Sequence, residues 1–83
     1  MAEVTIYTTP YCPYCVRAKR LLERKGVAYR EIDVAGDDAA RVRLAEETGM
    51  RTVPQIFVGE HHIGGSDDLH ELDSRGELDA LLG

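Results

Sequence analysis

Apolar and polar residues alternate over Val4-Thr5-Ile6-Tyr7-Thr8, and apolar positions then recur at helical spacing through Cys15, Ala18, Leu21 and Leu22. Alternation with period two marks a strand, and recurrence every three or four residues marks a helix with one buried face. The pattern predicts a strand over Val4–Thr8 and a helix over Pro13–Lys25, closed by Gly26. A second strand is expected over Ala28–Asp33. Gly36-Asp37-Asp38 reads as a turn and helix N-cap, so a second helix follows over Ala39–Thr48 and stops at Gly49. Gln55–Val58 and His61–Ile63 read as two strands joined by the tight turn Gly59-Glu60. Gly64-Gly65 interrupts the chain. A third helix begins at Ser66 or Asp67 and runs to Ser74, and Glu77–Leu82 forms a last helical turn after Gly76. Leu44, Val53, Ile56, Phe57, Val58, Ile63, Leu69 and Leu72 read as core.

A strand, a helix and a second strand in succession imply parallel pairing of the two strands. The short link between the third and fourth strands implies an antiparallel hairpin. The expected fold is α/β, a four-stranded mixed sheet flanked by helices in the order βαβαββα. Eighty-three residues suit one domain, taken as residues 1–83. The net charge of −5 argues against a nucleic-acid binder, which shows a basic face. Arg17, Lys19, Arg20, Arg24 and Lys25 cluster on the first helix and read mainly as a solvated face with cations near the helix C-terminus. There is no apolar run long enough for a membrane span and no basic-then-apolar leader at the N-terminus, so the protein is read as cytoplasmic. Nothing in the pattern demands an oligomer, and a monomer is expected.

The chemistry is concentrated in Cys12-Pro13-Tyr14-Cys15, which holds both cysteines of the chain. Placed between the first strand and the first helix, Cys12 falls at the helix N-terminus. Unpaired N–H groups and the helix dipole there favour an anion, and so a thiolate. Cys12 is the expected nucleophile, and Cys15, one turn further in, the more buried resolving thiol. A rival reading is half of a zinc site. Such a site needs four ligands, and only His61-His62 offers to complete it, with adjacent side chains that point to opposite faces in an extended segment. A purely structural disulfide gains little, because the stabilisation grows with the length of the closed loop. A dithiol in a reducing compartment fits catalysis better. No resident metal or cofactor is expected.

Cys12-Pro13-Tyr14-Cys15, Thr52-Val53-Pro54 and Gly64-Gly65-Ser66-Asp67-Asp68 stand in order along the chain. With these motifs, at family spacing and over nearly all 83 residues, the chain resembles the glutaredoxins of the thioredoxin superfamily, in particular the short bacterial dithiol members. The resemblance implies a thioredoxin fold and a glutathione-dependent thiol–disulfide oxidoreductase acting on glutathionylated or disulfide-containing proteins, ribonucleotide reductase being one by family. It implies that glutathione is a co-substrate and not a permanent cofactor. Pro54 on its own reads as a trans proline opening a strand. The resemblance makes the Val53–Pro54 bond cis and turns the Val53 backbone toward the cysteinyl part of glutathione, with Thr52 beside it. Gly65 and the N–H groups at Asp67 and Asp68 are expected to hold the γ-glutamyl carboxylate, and an aspartate its ammonium. The same residues are equally suited to cap a helix. Tyr14 is expected to flank the thiol and pack on the ligand, and Tyr11 to stand nearby.

Thr9 departs from the pattern, since many glutaredoxins carry a lysine there. Arg41 matches a family position that contacts the glycine carboxylate of glutathione, and it reads equally well as an exposed helix residue. Two further readings stay open: a glutaredoxin-like electron carrier reduced by thioredoxin reductase, which Thr9 favours, and an iron–sulfur cluster carrier, which Pro13 disfavours. His61, His62 and His70 read as turn or surface residues.

Overall fold

The computed structural model describes residues 3–82. Its elements run β1 (Val4–Thr8), α1 (Pro13–Arg24), β2 (Tyr29–Asp33), α2 (Asp38–Thr48), β3 (Gln55–Val58), β4 (His61–Gly64), α3 (Ser66–Ser74) and α4 (Glu77–Leu82). Every expected element is present, with small shifts at the ends. α1 stops at Arg24, and Lys25 becomes its cap, with its N–H on the Leu21 carbonyl. α2 starts at Asp38 because Asp37 is the N-cap, its carboxylate accepting from the Ala40 N–H at 3.0 Å. β2 starts at Tyr29, one residue later than expected, and β4 continues through Gly64.

The sheet order is β2-β1-β3-β4. β1 runs parallel to β2 and antiparallel to β3, and β3 and β4 form the hairpin. Alternation along β1 sends Val4, Ile6 and Thr8 to one face, where all three are buried. The core on that face joins Val4 and Ile6 to Ala18, Leu21 and Leu22 of α1, Ile56 and Val58 of β3, Leu69 of α3 and Leu78 of α4. A fully buried side chain of this kind contributes about 1.5–3 kcal/mol, which a chain this short cannot spare. The other face carries Tyr7 and Phe57, packed edge to face at 5.7 Å. α2 lies on that side. Its one buried residue, Leu44, shares a hollow with Tyr7. Of the other residues expected in the core, Val53, Phe57, Ile63 and Leu72 are half-buried.

This register makes three chain segments meet. Antiparallel pairing sets Tyr7, near the end of β1, against Gln55, the start of β3. Gly64, the end of β4, pairs with Ile56. The loop that follows β1, the loop that precedes β3 and the turn that follows β4 therefore open at the same end of the sheet. They carry, in turn, the two thiols, Thr52-Val53-Pro54, and the Gly65–Asp68 start of α3.

Candidate active site

Cys12 is the N-cap of α1, in extended conformation with φ −95° and ψ 113°. Its carbonyl receives the N–H groups of Cys15 (3.1 Å) and Val16 (3.3 Å), which sets the first helical turn. Pro13 occupies the first helical position, where no N–H is needed. The Cys12 side chain makes no capping bond, so its sulfur is left at the positive end of the helix. The thiol donates instead to the Val53 carbonyl at 3.5 Å, across the gap between the two loops. Cys12 is partly exposed, whereas Cys15 is buried at 1% exposure. Burial pushes the Cys15 thiol up to about 11, against a hydrogen bond with the Thr9 backbone, and the neighbouring Cys12 raises it further. The two thiols are thus unequal. One is accessible to an incoming disulfide, and the other is held protonated beneath it.

Beside the thiol lies a groove of about 280 Å³, walled by Tyr14, Met50, Thr52, Val53, Pro54, Gly65, Ser66, Asp67 and Asp68. Much of this wall is main chain. The Val53–Pro54 bond is cis. Gly65 is the N-cap of α3, and its N–H donates to Asp68 Oδ2 at 2.9 Å. This is one half of a capping box; glycine has no side chain to supply the other half. Gly64 adopts φ +118°, and a Cβ there would strike the Asp68 carboxylate. Asp67 and Asp68 are both exposed, and Asp67 has no hydrogen-bond or ion-pair partner among the described residues. The helix start therefore presents N–H groups and carboxylates side by side, which suits a ligand that carries both an anion and a cation.

The structure thus brings together Cys12, Cys15, Tyr14, Thr52, Val53, Pro54, Gly65, Asp67 and Asp68. It leaves Arg41 outside the groove. Arg41 is exposed and lines an adjoining hollow with Val42, Ala45, Glu46, Gly49 and Arg51. Gly49 and Arg51 of that hollow flank Met50 of the groove along the chain. Tyr11 is 93% exposed and Tyr14 53%. Among the described residues, no three His, Cys, Asp or Glu side chains converge as metal ligands would.

Sequence reading missed Met50 in the wall, and it missed what lies behind it. Gln55 is buried at 1% exposure. Its Nε2 donates to the carbonyls of Met50 (2.8 Å) and Thr52 (3.0 Å). Its Oε1 lies 3.1 Å from His62 Nε2. His62, expected on the surface, is half-buried, its ring packed on Phe57 at 4.9 Å. His70 also differs from that expectation, its Nδ1 donating to the Ser66 carbonyl at 2.8 Å. The available signal was a glutamine at an inward-facing strand position, where a polar side chain must find partners.

The family model described as Glutaredoxin matches residues 4–63. A glutaredoxin of Pseudomonas aeruginosa is 57% identical over 99% of this chain and 98% of its own length. Glutaredoxin 3 of Escherichia coli is 54% identical over 99% of each. Among solved structures, a buckwheat glutaredoxin–glutathione complex matches with a TM-score of 0.93 at 36% identity, covering 98% of this chain and 76% of that one. Glutaredoxin from Brucella melitensis matches at 0.89 with 51% identity, over 99% and 89%. On this match the chain belongs to the glutaredoxin family, with the thioredoxin fold, and its cysteine pair is that of a thiol–disulfide oxidoreductase.

Proposed function

We propose that the protein reduces glutathione mixed disulfides and protein disulfides, with glutathione as electron donor. The observation that carries this reading is the groove. It sets the Cys12 sulfur against the Val53 carbonyl and ends at the zwitterion-compatible start of α3. The buckwheat relative was solved as a glutathione complex, which supports the same ligand here. In the monothiol route, the Cys12 thiolate attacks the glutathione sulfur of a mixed disulfide. That S–S bond breaks, the substrate leaves as thiolate, and glutathione remains bonded to Cys12. A second glutathione thiolate attacks the bound glutathione sulfur, releasing oxidised glutathione and free Cys12. In the dithiol route, Cys12 attacks a protein disulfide. Cys15, once deprotonated, attacks the Cys12 sulfur and expels the reduced substrate, and two glutathione molecules then reduce the Cys12–Cys15 disulfide.

The γ-glutamyl end belongs at Gly65, Asp67 and Asp68, and the cysteinyl backbone at Val53 with Thr52 and Pro54 beside it. Tyr14 covers the thiol end. The glycine carboxylate requires a cation, and Arg41 with Arg51 in the adjoining hollow takes the place of the lysine missing at Thr9. Protein partners are glutathionylated or disulfide-bonded proteins, ribonucleotide reductase among the candidates. The chain acts as one domain over residues 1–83, as a monomer in the cytoplasm. None of the helices among the described residues is long and apolar enough to cross a membrane.

The test is a coupled assay with glutathione, glutathione reductase and NADPH on a small glutathione mixed disulfide, run beside one in which thioredoxin reductase replaces the glutathione system. Turnover with glutathione alone is expected. Turnover with thioredoxin reductase alone would make the Gly65–Asp68 segment a helix cap and nothing more.

A further inference from the structure

Gln55 touches neither thiol and lies behind the groove wall, yet every polar atom of its side chain is used. Backbone carbonyls only accept hydrogen bonds. The atom that faces Met50 O and Thr52 O must therefore be the amide nitrogen, and both of its protons are spent on them. The amide oxygen is left facing His62 at 3.1 Å, so His62 must donate from Nε2. The His62 ring is itself packed against Phe57, tilted by 49° at a centroid distance of 4.9 Å. A continuous chain of contacts runs from β4, through a buried amide on β3, to the carbonyls of the Met50–Arg51 and Thr52–Val53 peptide planes. Those planes carry Met50 and Thr52 into the groove and lead directly into Val53, whose carbonyl meets the Cys12 sulfur.

We propose that Gln55, oriented by His62, is a positioning residue for glutathione. It fixes the 50–53 backbone so that Val53 presents its main-chain groups to the ligand. The proposal rests on the reading of the groove as a glutathione site. An apolar side chain in place of Gln55 orphans two carbonyls, which then rotate toward water and carry Val53 out of register. That loss falls mainly on ligand binding; the Cys12 thiol gives up only its long 3.5 Å contact with the Val53 carbonyl.

The experiment compares wild type, Gln55→Leu and His62→Phe in the coupled glutathione assay. The phenylalanine keeps the ring on Phe57 and removes the donor. Gln55→Leu is expected to raise the apparent KM for glutathione roughly tenfold, the equivalent of about one well-made hydrogen bond, with kcat at saturation within about twofold. His62→Phe shifts KM in the same direction by roughly threefold, because the amide is then free to turn. Reduction of the Cys12–Cys15 disulfide by dithiothreitol, which needs no groove, stays within about twofold in both. A merely structural role for Gln55 lowers the melting temperature without moving KM, and that result overturns the proposal. Should Gln55→Leu fail to fold, an unchanged KM in His62→Phe overturns it alone. A wild type that shows no saturation by glutathione sinks the glutathione reading and this proposal together. A saturating wild type with unmoved variants sinks only this one.

Discussion

Gly64→Ala tests the architecture of the groove at its tightest point. Gly64 has φ +118°, outside the regions open to alanine, and such strain costs about 1–3 kcal/mol. The new Cβ also lands on Asp68, against Oδ2 and with Cγ at 2.9 Å and Cβ at 3.2 Å. Rotating the carboxylate alone cannot relieve contacts that reach back to the Asp68 Cβ, so the side chain must leave. It then gives up the Gly65 N–H, a helix cap worth about 1 kcal/mol. The expected total is about 2–4 kcal/mol. In a domain of this size that corresponds to a fall in melting temperature of roughly 10–30 °C. Gly59→Ala is the control, because φ there is +59° and nothing lies within 4 Å of its Cβ. Left-handed strain alone costs it about 1–2 kcal/mol. Calorimetry on Gly64→Ala, Asp68→Ala and the double variant closes the argument. The cap can be lost only once, so the double variant should be less destabilised than the sum of the singles by about 1 kcal/mol. Additivity to within about 0.5 kcal/mol would refute the collision.

Four other outcomes are expected. In the reduced protein, iodoacetamide at neutral pH should label Cys12 once, and mass spectrometry should find a second label only near the Cys15 value of about 11 or after unfolding; two labels at pH 7 would contradict the burial of Cys15. Cys12→Ser should abolish turnover on both substrate types, while Cys15→Ser should keep deglutathionylation and lose protein-disulfide reduction. The Thr8 hydroxyl, with Lys19 behind it, holds the Glu31 carboxyl below its usual value. Its contribution to stability is thus present above the unfolded value of about 4.3 and lost as pH falls through the folded one, so Thr8→Val should flatten the acid limb of the melting-temperature profile; an unchanged limb would remove Glu31 from the account. Asp67→Asn should raise KM for glutathione with no loss of melting temperature, whereas Asp68→Asn should move both, since only Asp68 also caps α3.

Local signals in the chain were strong where one residue type permits few alternatives. Asp37 and Gly49 bracketed α2 although that helix buries only Leu44, so its ends were legible while its amphipathic face was not. The buried stripe of α1 was legible in full, because Cys15, Ala18, Leu21 and Leu22 all serve one core. The pairing of β1 with β3 was not. It joins residues some fifty positions apart, and nothing in either strand names its partner. Gln55 and His62 stand only seven residues apart across the expected hairpin, but which side chains meet there depends on its register, which shifts between Ile56 and Phe57; the placing of Arg41 in the hollow next to the groove is tertiary as well. Motifs marked the residues nearest the sulfur. The support behind them depends on tertiary geometry.

β2 forms one edge of the sheet, and its sequence Tyr29-Arg30-Glu31-Ile32-Asp33 leaves three charged residues of both signs exposed along it. An open edge offers unpaired backbone groups to any passing strand, and this one makes the offer costly to accept. A second copy docking there in antiparallel fashion would have to desolvate those charges, and the Glu31 carboxylate is already bound to Thr8 and Lys19. The strand is thus a gatekeeper against edge-to-edge fibril growth. The protection lies along a strand and not on the thiol loop, so one flank of the sheet is closed to growth without the groove being covered.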